Sequence, residues 1–159
     1  MSKKQKLRGK ELENRVNKTN LRYRLDKLAI IYNLPLPVKV TKDGVIPMTS
    51  PTDYMGTIGP KGKSVTFDAK ETSCKTRFDL ANIHDHQINY LYLSEVVGAK
   101  SGFLIWFKKM RADQAFFTPA SFVKNFMETS KRSSIPYKDF KKEWLVEIDD
   151  YLNLYNNDE

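Results

Sequence analysis

Apolar positions along this chain change period several times, and each change predicts a new element. Leu12 and Val16, then Leu21, Leu25, Leu28 and Tyr32, recur at helical spacing and predict a helix over 10–33. Leu34-Pro35-Leu36-Pro37 stops it, since proline lacks the backbone donor a helix needs. Val38-Lys39-Val40 and Val45-Ile46 flank Thr41-Lys42-Asp43-Gly44, the pattern of a hairpin. Pro47 and Pro51 bound an irregular link. A strand is expected over 53–58, a turn at Gly59-Pro60-Lys61-Gly62, and a return strand over 64–70. In that return strand Val65, Phe67 and Ala69 alternate with Thr66, Asp68 and Lys70. The apolar set turns to the core, and the polar set is left for chemistry.

The second half reads similarly. After a polar loop over 71–78, Ile83, Ile88 and Leu91 predict a helix over 82–97, capped by Gly98. Phe103-Leu104-Ile105-Trp106-Phe107 is apolar throughout, so it predicts a strand covered on both faces. Trp106 therefore reads as core and not as a base-stacking platform. A turn over 108–113 leads to a strand over 114–117. Thr118-Pro119 starts a helix, with Thr as cap, Pro at the first position, and Phe122 and Phe126 on the buried face. Ser133-Ser134-Ile135-Pro136 opens a short helix, and 149–155 suggests a last one. With no internal repeat and no linker, the pattern is an α/β chain: a mixed β-sheet flanked by helices, one domain over 10–159 behind a flexible basic arm over 1–9.

Composition narrows the partners. Hydrophobic residues make up 40% of 159, enough for a core and too many for a disordered chain. Lys and Arg number 27 against 19 Asp and Glu, a net charge of +8, which favours a polyanion such as nucleic acid. Lys3, Lys4, Lys6 and Arg8 form an arm that either lies along phosphates or is a solvated terminus. The single cysteine, Cys74, excludes an intrachain disulfide, and no Cys/His cluster suggests zinc. A cytoplasmic setting is expected. No signal peptide and no apolar run of membrane-spanning length is seen, so no membrane partner is expected.

The candidate chemistry lies in Phe67-Asp68-Ala69-Lys70-Glu71-Thr72. Residues two apart in a strand share a face, so Asp68 and Lys70 converge. Asp53 stands at the start of the preceding strand. Two carboxylates offer hard oxygens to Mg²⁺, and a lysine beside them can steady charge developing on a phosphate. By itself an Asp-x-Lys spacing also arises as a solvated ion pair in any lysine-rich chain.

Larger blocks, in order, add to this spacing: Arg8-Gly9, Leu12-Glu13, Asn17, Thr19-Asn20 and Tyr23; Thr52-Asp53-Tyr54 and Gly56; Phe67 to Thr72 with Lys75-Thr76, Phe78 and Leu80; His84, His86 and Gln87; and Ser134-Ile135-Pro136-Tyr137. Through them the chain resembles RecU-type Holliday junction resolvases of the restriction-endonuclease-like nuclease superfamily, a family of Gram-positive bacteria and their phages. The resemblance implies a structure-selective endodeoxyribonuclease that resolves four-way DNA junctions by paired metal-dependent nicks in recombination and repair. It implies a homodimer, Mg²⁺ with Mn²⁺ able to substitute, and a recombinase or branch-migration protein as a further partner. Asp53 and Asp68 match the metal-binding acids and Lys70 the transition-state lysine. Gln87 matches a glutamine approaching the metal, and Glu13 a first-helix glutamate near the site. Lys3, Lys4, Arg8, Lys10, Lys61, Lys63, Lys75 and Arg77 are the candidate phosphate contacts.

Departures carry their own expectations. Asp68 replaces the family's usual Glu and draws the carboxylate back by over ~1 Å. Pro51 stands where a hydroxyl ligand is usual. The segment over 37–50 is much shorter than the family's stalk, which puts junction selectivity in question and is consistent with a phage-encoded member. Cleavage of other branched or duplex DNA, and non-catalytic modulation of recombination, stay open. Glu13 reads as a metal ligand, a water-positioning base or a surface charge. His84 and His86 read as helix-start contacts, to DNA or to Asp79 and Asp85, and Cys74 as a passive thiol.

Overall fold

Leu12, Val16 and Tyr23 fall on one side of a helix, and α1 (Lys10–Leu25) buries that stripe together with Thr19 and Asn20. The computed structural model describes residues 9–35, 37–48 and 50–156. The helix expected to reach residue 33 stops at Leu25. Lys27 takes a left-handed backbone angle, φ of 58°, and the chain reverses into β1 (Ala29–Asn33). Ala29 and Ile31 then point inward while Ile30 and Tyr32 point out, and Leu21 and Leu25 are exposed. A five-residue alternation is too short to outweigh a helical match in the sequence; strand pairing decides the outcome.

The expected hairpin forms from β2 (Val38–Thr41) and β3 (Gly44–Pro47), a two-stranded ladder separate from the main sheet. Val38, Val40, Val45 and Ile46 are all at least half exposed on it.

The main sheet begins with β4 (Tyr54–Ile58) and β5 (Lys63–Thr72), antiparallel to each other, with β1 antiparallel to β4 on the outer side. Gly56 permits that close approach: a Cβ there would lie 1.9 Å from the Ile30 carbonyl oxygen. After β6 (Arg77–Asp79) and α2 (Asp85–Val96), the chain returns as β7 (Lys100–Phe107), parallel to β5. A parallel pair needs such a crossover, and α2 supplies it. β8 (Gln114–Pro119), α3 (Ala120–Thr129), β9 (Ser134–Pro136) and β10 (Leu145–Glu147) complete the chain. The six-stranded order is β1-β4-β5-β7-β8-β10, while β6 pairs with β9 apart from it.

Each face of the sheet has its own core. Tyr54, Val65, Phe67, Leu104 and Trp106 pack against α1 and the C-terminal turns. Phe103, Ile105 and Phe107 pack against α2 and α3. The uninterrupted apolar run of β7 is thus covered on both sides, as its pattern implies.

Five further expectations are corrected. α2 begins at Asp85, after a 3-10 turn over Leu80–Asn82. Pro119 itself caps α3, and Thr118 lies within β8, its hydroxyl 3.3 Å from the Phe116 carbonyl. Ala120 and Val123 are the buried residues of α3, with Phe122 and Phe126 only half-buried. Residues 134–136 form a strand because β6 offers an edge to pair with. The expected last helix is a 3-10 turn, Ile148–Asp150. Asp150 accepts the Tyr23 hydroxyl at 2.7 Å and the backbone N–H groups of Leu154 and Tyr155, which satisfies a tight turn without a helix.

Among the described residues no helix is long and apolar enough to cross a membrane.

Candidate active site

Tyr54 pairs with Phe67 across β4 and β5. The residue before Tyr54 therefore meets the residue after Phe67, and Asp53 comes to Asp68. The Asp53 backbone N–H donates to Asp68 Oδ1 at 2.7 Å. Thr52 Oγ1 lies 3.0 Å from that same oxygen and 3.0 Å from the Phe67 carbonyl. Beneath the pair, the Tyr54 and Phe67 rings stack at 4.8 Å and 8°. The Tyr54 hydroxyl is tied to Asn17 Oδ1 at 3.3 Å. The stacked rings anchor in the core the two strand positions next to the carboxylates.

Asp68 is fully buried, and among the described residues its Oδ2 has no hydrogen-bond partner. Burial pushes its carboxyl up from the usual range, while the Asp53 N–H, Lys70 and the Thr52 hydroxyl pull it back. Asp53 is pushed up to about 6, first by burial and then by the charge of Asp68, with Glu13 adding to the rise and Lys70 and the Ala69 N–H opposing it. Two crowded carboxylates, one with an orphaned oxygen, are a site short of positive charge.

Lys70 follows Asp68 on the same face, the face covered by α2. Its Nζ lies 3.4 Å from Gln87 Oε1. Gln87 is the third residue of α2, and the same oxygen accepts the His84 backbone N–H at 3.1 Å, closing the helix start. The structure thus gives the glutamine two tasks at once. The His84 and His86 rings stack in parallel, 5.8 Å apart. His86 bears electrostatically on Asp68, and among the described residues neither histidine ion-pairs with Asp79 or Asp85. Glu13 approaches from α1: its Oε1 accepts the Asn33 amide at 3.0 Å, and both line one depression with Asp53, Tyr54 and Ala69.

The candidate phosphate contacts divide. Lys75 and Arg77 are exposed just past β5, with Arg77 3.6 Å from Asp79. Lys10 is exposed at the start of α1. Lys61 and Lys63 lie at the opposite end of the β4–β5 hairpin, Lys63 some ~17 Å from Asp68 along the strand. Lys3, Lys4 and Arg8 lie outside the described residues. The sequence names Thr52 only within the block Thr52-Asp53-Tyr54 and gives it no role; its contact with Asp68 appears only through the pairing register.

A mixed sheet bearing two converging carboxylates and a lysine on one hairpin defines the class of restriction-endonuclease-like nucleases. The family model described as Recombination protein U matches residues 7–156, and the chain belongs to that RecU family. It is 31% identical over 146 residues to the Holliday junction resolvase RecU of Lactobacillus acidophilus, covering 84% of this chain and 67% of that protein. It is 33% identical over 153 residues to the protein of the same name from Bacillus subtilis, covering 88% and 70%. The Bacillus licheniformis resolvase is 33% identical over 92% of this chain and 76% of its own.

Proposed function

We propose that this chain is an endodeoxyribonuclease of recombination and repair that resolves four-way DNA junctions by paired, divalent-metal-dependent nicks. The observation that carries the chemistry is the orphaned, buried Oδ2 of Asp68 beside the raised carboxyl of Asp53. Among the described residues no three His, Cys, Asp or Glu side chains are placed to hold a metal. The donor set is therefore two carboxylates completed by neutral oxygens, the preference of Mg²⁺ and equally of Mn²⁺. The residues fit such an ion, held by Asp53 and Asp68 with the Gln87 carbonyl as a further oxygen. Bound there, it would supply Lewis-acid stabilisation of the phosphate and a more acidic water.

The protein's own groups do the rest. Thr52 and the Asp53 N–H fix one oxygen of the Asp68 carboxylate, which leaves the buried second oxygen for a cation. Lys70, steadied by Gln87, faces the place where negative charge grows on the scissile phosphate. Glu13, held by Asn33, overlooks Asp53 from the other side and could orient water. Lys75, Arg77 and Lys10 would hold flanking phosphates. Two symmetric nicks need two such sites, hence a C₂ homodimer. The junction as substrate comes from the names of the relatives. Cleavage of other branched or duplex DNA is the second reading, favoured by the short β2–β3 hairpin.

The test is cleavage of a labelled four-way junction beside matched linear duplex, with Mg²⁺ and with EDTA. Paired nicks in the junction alone, abolished by EDTA, are expected. Equal cleavage of duplex would remove junction selectivity, and binding without cleavage under any divalent ion would overturn the enzymatic reading.

A further inference from the structure

The depression holding Glu13 and Asp53 does not end at the carboxylates. Gly9 and Ala69 line it and also line a second hollow of about 500 Å³, which contains Lys70, Glu71, Cys74 and Lys108. The two form one groove that crosses the end of the sheet. Glu71 lies in its wall with a side chain only 4% exposed. Among the described residues neither of its oxygens accepts a hydrogen bond. Burial and the nearby Glu11 push its carboxyl up, and Lys108 pulls it down. Lys108 stands with Nζ 3.7 Å from Glu71 Oε2, beyond hydrogen-bond length. Its backbone N–H reaches the Thr72 carbonyl at 3.3 Å, which pins the residue at the end of β7 beside β5.

A buried ion pair that serves packing closes to hydrogen-bond distance, because only then is the desolvation of both charges offset. Here the carboxylate is buried, the ammonium stands off it, and Lys108 lines an open groove with its side chain 27% exposed. That groove begins at the candidate catalytic carboxylates. The geometry points to a second anion position beyond Lys70. We propose that Lys108, aimed by buried Glu71, binds a backbone phosphate flanking the scissile one and so positions the cleaved strand. This rests on the nuclease reading above. Lys108 acts as a positioning residue, and Glu71 acts through it.

The experiment is junction binding in EDTA over a range of salt, with the full chain, its Lys108→Ala and Lys108→Arg variants, and junctions carrying single neutral methylphosphonates around the cleavage site. One phosphate contact contributes about one unit to the slope of log affinity against log salt. Lys108→Ala is expected to lower that slope by about one and to weaken binding about tenfold, with Lys108→Arg restoring both. At one position flanking the scissile phosphate, the neutral linkage should weaken the unaltered chain and leave Lys108→Ala indifferent. A merely structural lysine would not produce that non-additivity. Should Lys108→Ala fail to fold, Lys108→Gln is read against the same set of linkages. An unchanged slope, or additive losses at every position, overturns the proposal while junction cleavage by the unaltered chain still stands. Failure of the unaltered chain to bind any junction overturns both readings.

Discussion

Removing a charge from the candidate site should stabilise the metal-free protein while abolishing its chemistry. The perturbation is Asp53→Asn. Asparagine keeps an oxygen to accept the Ala69 N–H and removes the charge that burial and Asp68 oppose. The Asp53 carboxyl titrates at about 6 in the folded chain against 3.8 as a model group. That gap corresponds to on the order of 3 kcal/mol at neutral pH. Its sign follows from proton counting: between those two values the folded state binds the proton and the unfolded state does not. Stability is therefore fully present below about pH 4 and is lost as pH rises through about 6. Thermal unfolding in EDTA is the assay. At pH 7.5 Asp53→Asn should melt about 6–12 °C above the unaltered chain, taking roughly 2–4 °C per kcal/mol for a domain of this size. At pH 4 the two should coincide. Added Mg²⁺ should raise the melting point of the unaltered chain and not that of the variant. A variant less stable than the unaltered chain at pH 7.5 in EDTA would refute the claim that uncompensated charge, and not missing structure, defines this site.

Further outcomes follow from the same geometry. Lys70→Ala should lower kcat by about 10²–10³ with little loss of junction affinity, measured by single-turnover cleavage beside binding. Thr52→Val leaves Asp68 Oδ1 with one donor; it should cost about 1–3 kcal/mol in urea unfolding and slow cleavage, with Thr52→Ser restoring both. Cleavage should fall below about pH 6 as Asp53 takes up a proton, and the midpoint should move to lower pH as Mg²⁺ is raised, since metal and proton compete for the same oxygens. Gly56→Ala drives a Cβ into the Ile30 carbonyl, where backbone must move; a loss of about 2–3 kcal/mol in unfolding free energy is expected.

How far the sequence carries differs between elements, for physical reasons. The hairpin at Thr41–Gly44, the alternation from Val65 to Lys70 and the apolar run of β7 were legible because each depends on local period and turn chemistry alone. The end of α1 was not. Leu21, Leu25, Leu28 and Tyr32 continue a helical spacing, yet Ala29 and Ile31 have a strand partner in β4 that no local pattern reveals. The same holds for β9, a three-residue strand that exists because β6 offers an edge. The C-terminal turn was hidden too, since it depends on Asp150 meeting Tyr23, 127 residues away.

The site divides along the same line. Asp53 was legible from its place at the start of the neighbouring strand, and Asp68 and Lys70 could be brought together from spacing because a strand places i and i+2 on one face. Thr52 could not, because its hydroxyl meets Asp68 only through the β4–β5 register. Gln87 shows the limit in the other direction. Its spacing suggested a metal ligand, whereas the structure shows its oxygen already engaged by Lys70 and the His84 N–H. Ligation by Gln87 would therefore compete with the helix start, and loading the site should loosen it. Hydrogen exchange at the first turn of α2 would accelerate on adding Mg²⁺ if the carbonyl turns to the ion, and would slow or stay unchanged if Gln87 serves Lys70 alone.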